Sequence, residues 1–290
     1  MSGLTLTVHR ATDQIGGNCI ELATADGRLL LDVGRPLDAP KEATDLLPKS
    51  LNIERPVDGV LISHPHQDHY GLLDELPPAW PIYSGASTGK LMLLTASIFG
   101  TAPDRDYRHW SGSDPIDVGP FRVTPYLTDH SAFDAYMLLI EAAGKRVLYS
   151  GDFRNHGRKA SLVERLMAAP PPDVDVLLME GTNLGSDKPT KSESDLEADF
   201  VALFRETRGR VFTCWSAQNI DRTVTLYRAA LKTGRTLVID LYTAEVLELL
   251  ADAGKLPRAG WNNIRVVITR SFARLYEMKG RKEFVERMAA

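Results

Sequence analysis

Apolar positions in the first two thirds of this chain fall into short strand-like runs, and after Lys191 strand and helix patterns alternate. Leu4 to Val8 alternates with threonine and predicts an edge strand. Asn18 to Ala23 and Arg28 to Asp32 flank Asp26-Gly27, a turn pair that predicts a hairpin. Gly59 to Ile62 is a buried strand followed by a polar loop, and Tyr70 to Leu76 carries a short helical pattern. Pro81 to Ser84 reads as a strand, Ala86 to Phe99 as a helix with a core-facing apolar set, and Phe121 to Leu127 as a strand. Ala135 to Glu141 and Arg146 to Tyr149 pair as a hairpin across Ala143-Gly144.

Past Lys191, Ser194-x-x-Glu197 has the spacing of a capping box that opens a helix. A strand over Arg210 to Cys214, a helix over Ile220 to Lys232 and a strand over Thr236 to Leu241 follow. A helix over Thr243 to Ala253, a strand over Ile264 to Thr269 and a last charged helix over Ser271 to Met288 end the chain. This is a βαβαβ unit with a parallel sheet, so two domains are expected, 1–190 and 191–290.

Composition narrows the class. The chain has 290 residues, 43% apolar and 25% charged, the profile of a soluble globular protein. Two cysteines, Cys19 and Cys214, make no disulfide framework and suit a reducing, cytoplasmic setting. The start has no apolar stretch behind a basic end, and nowhere do 18 apolar residues run together, which argues against an export signal and a membrane span. The net charge of −4 excludes little, but from Lys255 onward nine Lys and Arg face three Glu. That local excess suits a polyanionic substrate or a solvated helix face.

The chemistry concentrates in VLISHPHQDHYGLL, where His64, His66, Asp68 and His69 fall within six positions after an apolar strand. Imidazole with carboxylate suits zinc, with manganese or iron as substitutes. One ion can take His64 and His66, leaving Asp68 and His69 for a second. His130 and Asp152 share the placement of His64, each at the end of an apolar strand in a polar or glycine-containing loop. Strand ends of one sheet lie along a common edge, so these residues can converge, and a carboxylate such as Asp152 can bridge two ions. On its own His130 reads as a core imidazole and Asp152 as a helix cap, but beside the His64–His69 loop the ligand reading prevails. Asp32 ends a buried strand, where it either holds a metal-bound histidine by a hydrogen bond or merely terminates the strand. Trp215-Ser216-Ala217-Gln218-Asn219 runs into a helix start, whose free N–H groups favour an anion. Ser216, Asn219 and Arg222, with Arg228 further along the helix, are candidate phosphate contacts, although capping alone explains the first two. Trp215 and Tyr242 are candidates for stacking a base or for packing. His9 and His109 have no partner in sequence, and His156 lies four residues past Asp152.

The order of Asp32, His64-x-His66-x-Asp68-His69, His130 and Asp152 resembles the metallo-β-lactamase fold, an αββα sandwich. The wording TDHSAFDAY, YSGDFRNHG and LLMEGTN is similar to its β-CASP branch, the ribonuclease J-like nucleases, with a βαβ lid after the sandwich. That resemblance implies two zinc ions, with manganese as the substitute. The first would be held by His64, His66 and His130 and the second by Asp68 and His69, with Asp152 between them. It places Glu180 in the active-site cluster, which makes Asp68, Asp152 and Glu180 the candidate catalytic carboxylates. It also implies hydrolysis of RNA or single-stranded nucleic acid, and it leaves open a homo-oligomer, a thioester or lactone hydrolase, and a scaffold that binds nucleic acid without cutting. The family carries two further histidines after the lid; none follows His156 here, so the 290 residues are expected to be a fragment of a longer chain.

Overall fold

The structure, a computed structural model, describes residues 3–100 and 105–289. Strands β1 (Thr5–Arg10), β2 (Cys19–Ala23) and β3 (Arg28–Val33) pair antiparallel. Strands β4 (Gly59–Ile62), β5 (Ile82–Gly85) and β6 (Tyr107–Trp110) continue that sheet in order, parallel to β3. Helix α1 (Gln67–Tyr70) follows β4, and α2 (Ala86–Phe99) joins β5 to β6. A second sheet holds β7 (Ile116–Val118), β8 (Phe121–Thr128), β9 (Ala135–Ala142), β10 (Lys145–Tyr149) and β11 (Val176–Leu178), in the order β11-β10-β9-β8-β7. Helix α3 (Ala160–Ala168) lies against β8.

Period-two alternation explains the layering. Leu29 and Leu31 of β3 and Leu61 of β4 point inward and pack on Phe121, Val123, Leu138 and Ile140 of the second sheet. Leu30, Val60 and Ile62 point the other way, into a core with Trp80, Leu72 and Met92. A strand buried on both faces reads as a continuous apolar run, which is why RLLLDV shows no alternation. Truncating one of these fully buried leucines to alanine costs about 2–5 kcal/mol. Helices flank both sheets, so the first part of the chain is the expected αββα sandwich.

The second part has its own core. Helices α4 (Glu193–Glu206) and α5 (Ile220–Lys232) pack together, and β12 (Leu237–Asp240) pairs parallel with β13 (Ile264–Val267) across α6 (Leu241–Leu249). Helices α7 (Arg270–Met278) and α8 (Lys282–Ala289) follow. Leu91, Leu94 and Ile98 of α2 join this core beside Leu226, Leu241 and Leu247, so the sandwich lends it one wall.

Three expectations change in this region. The capping box is Ser192 with Asp195, not Ser194 with Glu197: Ser192 Oγ accepts from Asp195 N and the Asp195 carboxylate accepts from Ser192 N. Glu197, a turn further in, is drawn into ion pairs with Arg158 and Lys232. Arg210 to Cys214 forms no strand, since it has no ladder partner among the described residues and Phe212 is 90% exposed. The sheet of this part therefore has two described strands, not three. The final helix is two, broken at Gly280, whose φ of +73° takes the left-handed conformation that ends a helix cheaply only at glycine.

Candidate metal centre

Five strand ends meet at one edge of the sandwich. Parallel β3 and β4 deliver Asp32 and His64, and β8, β10 and β11 run alike and deliver His130, Asp152 and Glu180. Ligand-bearing groups at the carboxyl ends of strands are the usual arrangement in open α/β sheets. The His66–Tyr70 turn is held from outside: the Asp68 carbonyl accepts from Gly17 N at 3.0 Å and Asn18 N at 3.1 Å. A Cβ on Gly34 would lie 1.6 Å from that carbonyl oxygen, so only glycine lets the two loops approach.

The ring nitrogens converge. His64 Nε2 lies 3.1 Å from His66 Nδ1, and His130 Nε2 lies 3.2 Å from the same atom. Three ligands around tetrahedral zinc at 2.0–2.1 Å stand about 3.3 Å apart, so the donor set fits an ion with little movement. Asp152 straddles the site: Oδ1 is 3.3 Å from His69 Nε2 and Oδ2 is 4.0 Å from His64 Nε2. Two sets of three donors therefore lie within 4.8 Å of one another, His64/His66/His130 and His64/His69/Asp152. Asp68 stands at the margin, 3.8 Å from His69 Nε2 and in neither set.

Ring tautomers follow from the neighbours. Asp32, fully buried and held at φ +54°, accepts four hydrogen bonds. They come from His69 Nδ1 at 2.7 Å, Ser63 N and Oγ at 2.8 Å and Tyr149 OH at 2.6 Å. A non-glycine residue in that backbone region stores strain of order 1–3 kcal/mol, which the four bonds offset. Nδ1–H of His69 is committed to Asp32, so Nε2 is the end directed at Asp152 and Asp68. Ser63 Oγ, already donating to Asp32, can accept from His64 Nδ1 at 3.1 Å, which leaves His64 Nε2 free. Sequence reasoning found Asp32 but missed Ser63 and Tyr149, although each is next to or near a chosen residue (Ser63-His64 and Tyr149-Ser150-Gly151-Asp152).

Protonation fits the same picture. Burial, then the neighbouring imidazoles, holds His64 well below its usual range, and burial does the same to His66. Burial and His66 bring His130 down to about 3. All three are neutral at pH 7, as ligands must be. Burial disfavours charge on His69 too, but Asp32 and Asp152 hold its imidazole up to about 10, and a cation at Nε2 would take the place of that proton. Asp152 is lowered despite burial by its hydrogen bond to His69.

The remaining candidates have partners within the protein. Glu180 Oε1 accepts from Phe153 N at 2.9 Å, so it braces the loop after Asp152, and it lines a cleft of about 510 Å³ with His69, Asp152, Ile15 and Leu184. Asn219 Oδ1 caps α5 by accepting from Arg222 N at 3.0 Å, Ser216 Oγ accepts from Gln218 N at 3.3 Å, and Arg222 pairs with buried Glu193 at 3.1 Å. Arg228 lies 3.8 Å from Glu197. Trp215 Nε1 donates to Thr223 Oγ1, and Tyr242 OH shares hydrogen bonds with Thr95 and Gln218. His9 contacts Ser50 and Glu21, and His109 lies 3.5 Å from Ser84 Oγ. The His156 carbonyl accepts from Glu193 N. Of the basic C-terminal stretch, Arg281 and Arg287 pair with Glu245 and Glu248. Cys19 is buried and Cys214 exposed, both free, and among the described residues no helix is long and apolar enough to cross a membrane.

The family model of the Metallo-beta-lactamase superfamily matches residues 12–190, and the chain belongs to that superfamily. It is similar to ribonuclease J of Helicobacter pylori (strain ATCC 700392 / 26695), 28% identical over 245 residues, covering 78% of this chain and 34% of that protein. The RNase J-like protein of Methanocaldococcus jannaschii is 27% identical over 285 residues, covering 90% of this chain and 63% of that one. This chain thus spans about a third of the Helicobacter relative and under two thirds of the Methanocaldococcus one. A solved protein of unknown function from Enterococcus faecalis V583 shares the fold, with a TM-score of 0.73 and 24% identity over 92% of this chain and 70% of that one. The resemblance to ribonuclease J-like proteins is borne out by these relatives.

Proposed function

We propose that this chain is a metal-dependent phosphodiester hydrolase acting on RNA or single-stranded nucleic acid, with residues 1–190 holding two zinc ions and 191–290 serving as its lid. The convergence of His64, His66 and His130 nitrogens, with Asp152 reaching toward both His64 and His69, carries the reading. The relatives named ribonuclease J supply the substrate class. His64, His66 and His130 would hold one ion, Asp68 and His69 the other, and Asp152 would touch both. Two divalent cations supply Lewis acidity toward a phosphoryl oxygen and lower the pKa of water. The chain contributes the rest. Asp32 and Ser63 fix the His69 and His64 tautomers, Tyr149 holds Asp32, and Glu180 sets the loop that carries Asp152. In the lid, Ser216, Asn219 and Arg222 would meet the phosphate backbone.

Cleavage of 5′-phosphorylated RNA in zinc or manganese, beside metal content for the parent and His64→Ala, tests the reading. The parent is expected to hold metal and cut, and the variant to do neither; a metal-free parent, or RNA left intact by a metal-loaded one, overturns it. A second reading has one observation in its favour. Ile15, Met179 and Leu184 present apolar surface to the cleft beside His69 and Asp152, which would suit an acyl group. Faster turnover of a thioester than of RNA would select it.

A further inference from the structure

A knot of charges unused by the metal chemistry ties the loop after Asp152 to the lid. Arg154, two residues past Asp152, donates its backbone N–H to the Asp129 carbonyl at 2.7 Å, and its Nε lies 3.6 Å from Asp129 Oδ1. Asp129 is fully buried and immediately precedes His130. The other end of Arg154 reaches the lid: Nη2 donates to Asp221 Oδ2 at 2.5 Å, in the first turn of α5. The same loop makes further contacts, Arg158 N to Asp221 Oδ2 at 2.9 Å and Gly157 N to Asp129 Oδ2 at 2.6 Å. It is closed so tightly that a Cβ on Gly157 would stand 2.2 Å from Asp129 Oδ1 and 2.6 Å from Arg154 Nη2. One guanidinium therefore joins the His130 loop, the Asp152 loop and the lid.

We infer that Arg154 is a positioning residue, which fixes the His130 and Asp152 loops against the start of α5 and makes metal affinity in the sandwich depend on how the lid is seated. The inference rests on the metal-site reading above. An arginine suits the task because its rigid planar fork holds fixed directions toward two carboxylates, whereas a lysine is a point charge on a flexible stem. Groups one step outside a metal's ligands orient those ligands, and their loss weakens metal binding by about 10–100-fold. Asp221 touches none of the candidate ligands, so any effect of its replacement on metal affinity must pass through the Arg154 loop.

The test is zinc affinity by competition with a chromophoric chelator, for the parent, Asp221→Asn, Arg154→Lys and Arg287→Met, each checked for folding by circular dichroism. Arg287→Met breaks the ion pair with Glu248 inside the lid, which reaches neither loop. Asp221→Asn and Arg154→Lys are expected to lose about 10-fold or more in affinity, and Arg287→Met to bind like the parent. Arg154→Lys carries the comparison should Asp221→Asn not fold. Parent-like affinity in either folded loop variant, or an equal loss in Arg287→Met, overturns the coupling. A parent that binds no zinc overturns the metal reading instead, so the two failures are distinct.

Discussion

The edge of the sandwich and the start of α5 hold polar candidate residues in opposite states. At the sandwich edge, His64, His66 and His130 have chiefly one another as partners, with bare nitrogens 3.1–3.2 Å apart. At α5, Asn219 is spent on Arg222 N and Arg222 on Glu193. Buried polar groups are normally satisfied. A cluster that satisfies itself only by facing lone pairs together is arranged for a cation, whereas a turn already paired within the protein needs no ligand to explain it. Residue type made both into candidates; partnership separates them.

Four measurements would break or sharpen that contrast. The largest effect is expected at the cluster: His64→Ala and Asp152→Ala should each lower bound metal and abolish metal-dependent cleavage, as metal analysis of the purified proteins would show. Two equivalents in both would mean that the cluster is not the site. Next, Asp32→Asn should keep the fold yet weaken metal affinity by roughly 10–100-fold, because it removes the acceptor that orients His69. Unchanged affinity in a chelator titration would reduce Asp32 to a strand terminus.

Smaller effects are expected in residues 191–290. If Arg222 meets RNA, Arg222→Ala should flatten the salt dependence of RNA binding by about one unit of slope. An unchanged slope with lowered thermal stability would leave it as the partner of Glu193 alone. The smallest effect belongs to a fully partnered carboxylate away from both places. Glu21 is held down to about 2, since its hydrogen bonds to His9 and Arg28 outweigh burial. Its folded-state pKa is below the ordinary 4.5, so its stabilisation is present above pH 4.5 and lost as pH falls toward 2. Thermal melts between those values should slope more steeply for the parent than for Glu21→Gln.

What could be read from the chain followed from how local each signal was. Most strands of the two sheets and α2 were legible because their apolar runs are long enough to set a period, and His64, His130 and Asp152 because each apolar strand opens into a polar or glycine-containing loop. β6, with Tyr107, Arg108, His109 and Trp110, is short and mostly polar, so it gave no run to read; β7 is similarly brief, and α3 fully buries only Val163. The capping box slipped by two residues because Ser192 and Ser194 carry the same local spacing; only the distant pairing of Glu197 with Arg158 and Lys232 decides between them. Ser63 and Tyr149 escaped notice because their importance lies in what they touch, Asp32, which is far off in sequence.

Helix α2 has a consequence for anyone who would recombine this protein. It leaves β5 as part of the sandwich, yet Leu91, Leu94 and Ile98 are filled in around by Leu226, Leu241 and Leu247 from the other end of the chain. A graft that exchanged only residues 191–290 for the equivalent piece of a relative would set a new surface on an old helix. Mismatched volumes in a close-packed interior cost typically 1–3 kcal/mol each. A chimera that carries Ala86–Phe99 together with residues 191–290 keeps both sides of that contact from one parent, and the natural crossover point lies before α2, about a hundred residues upstream of where the chain first leaves the sandwich.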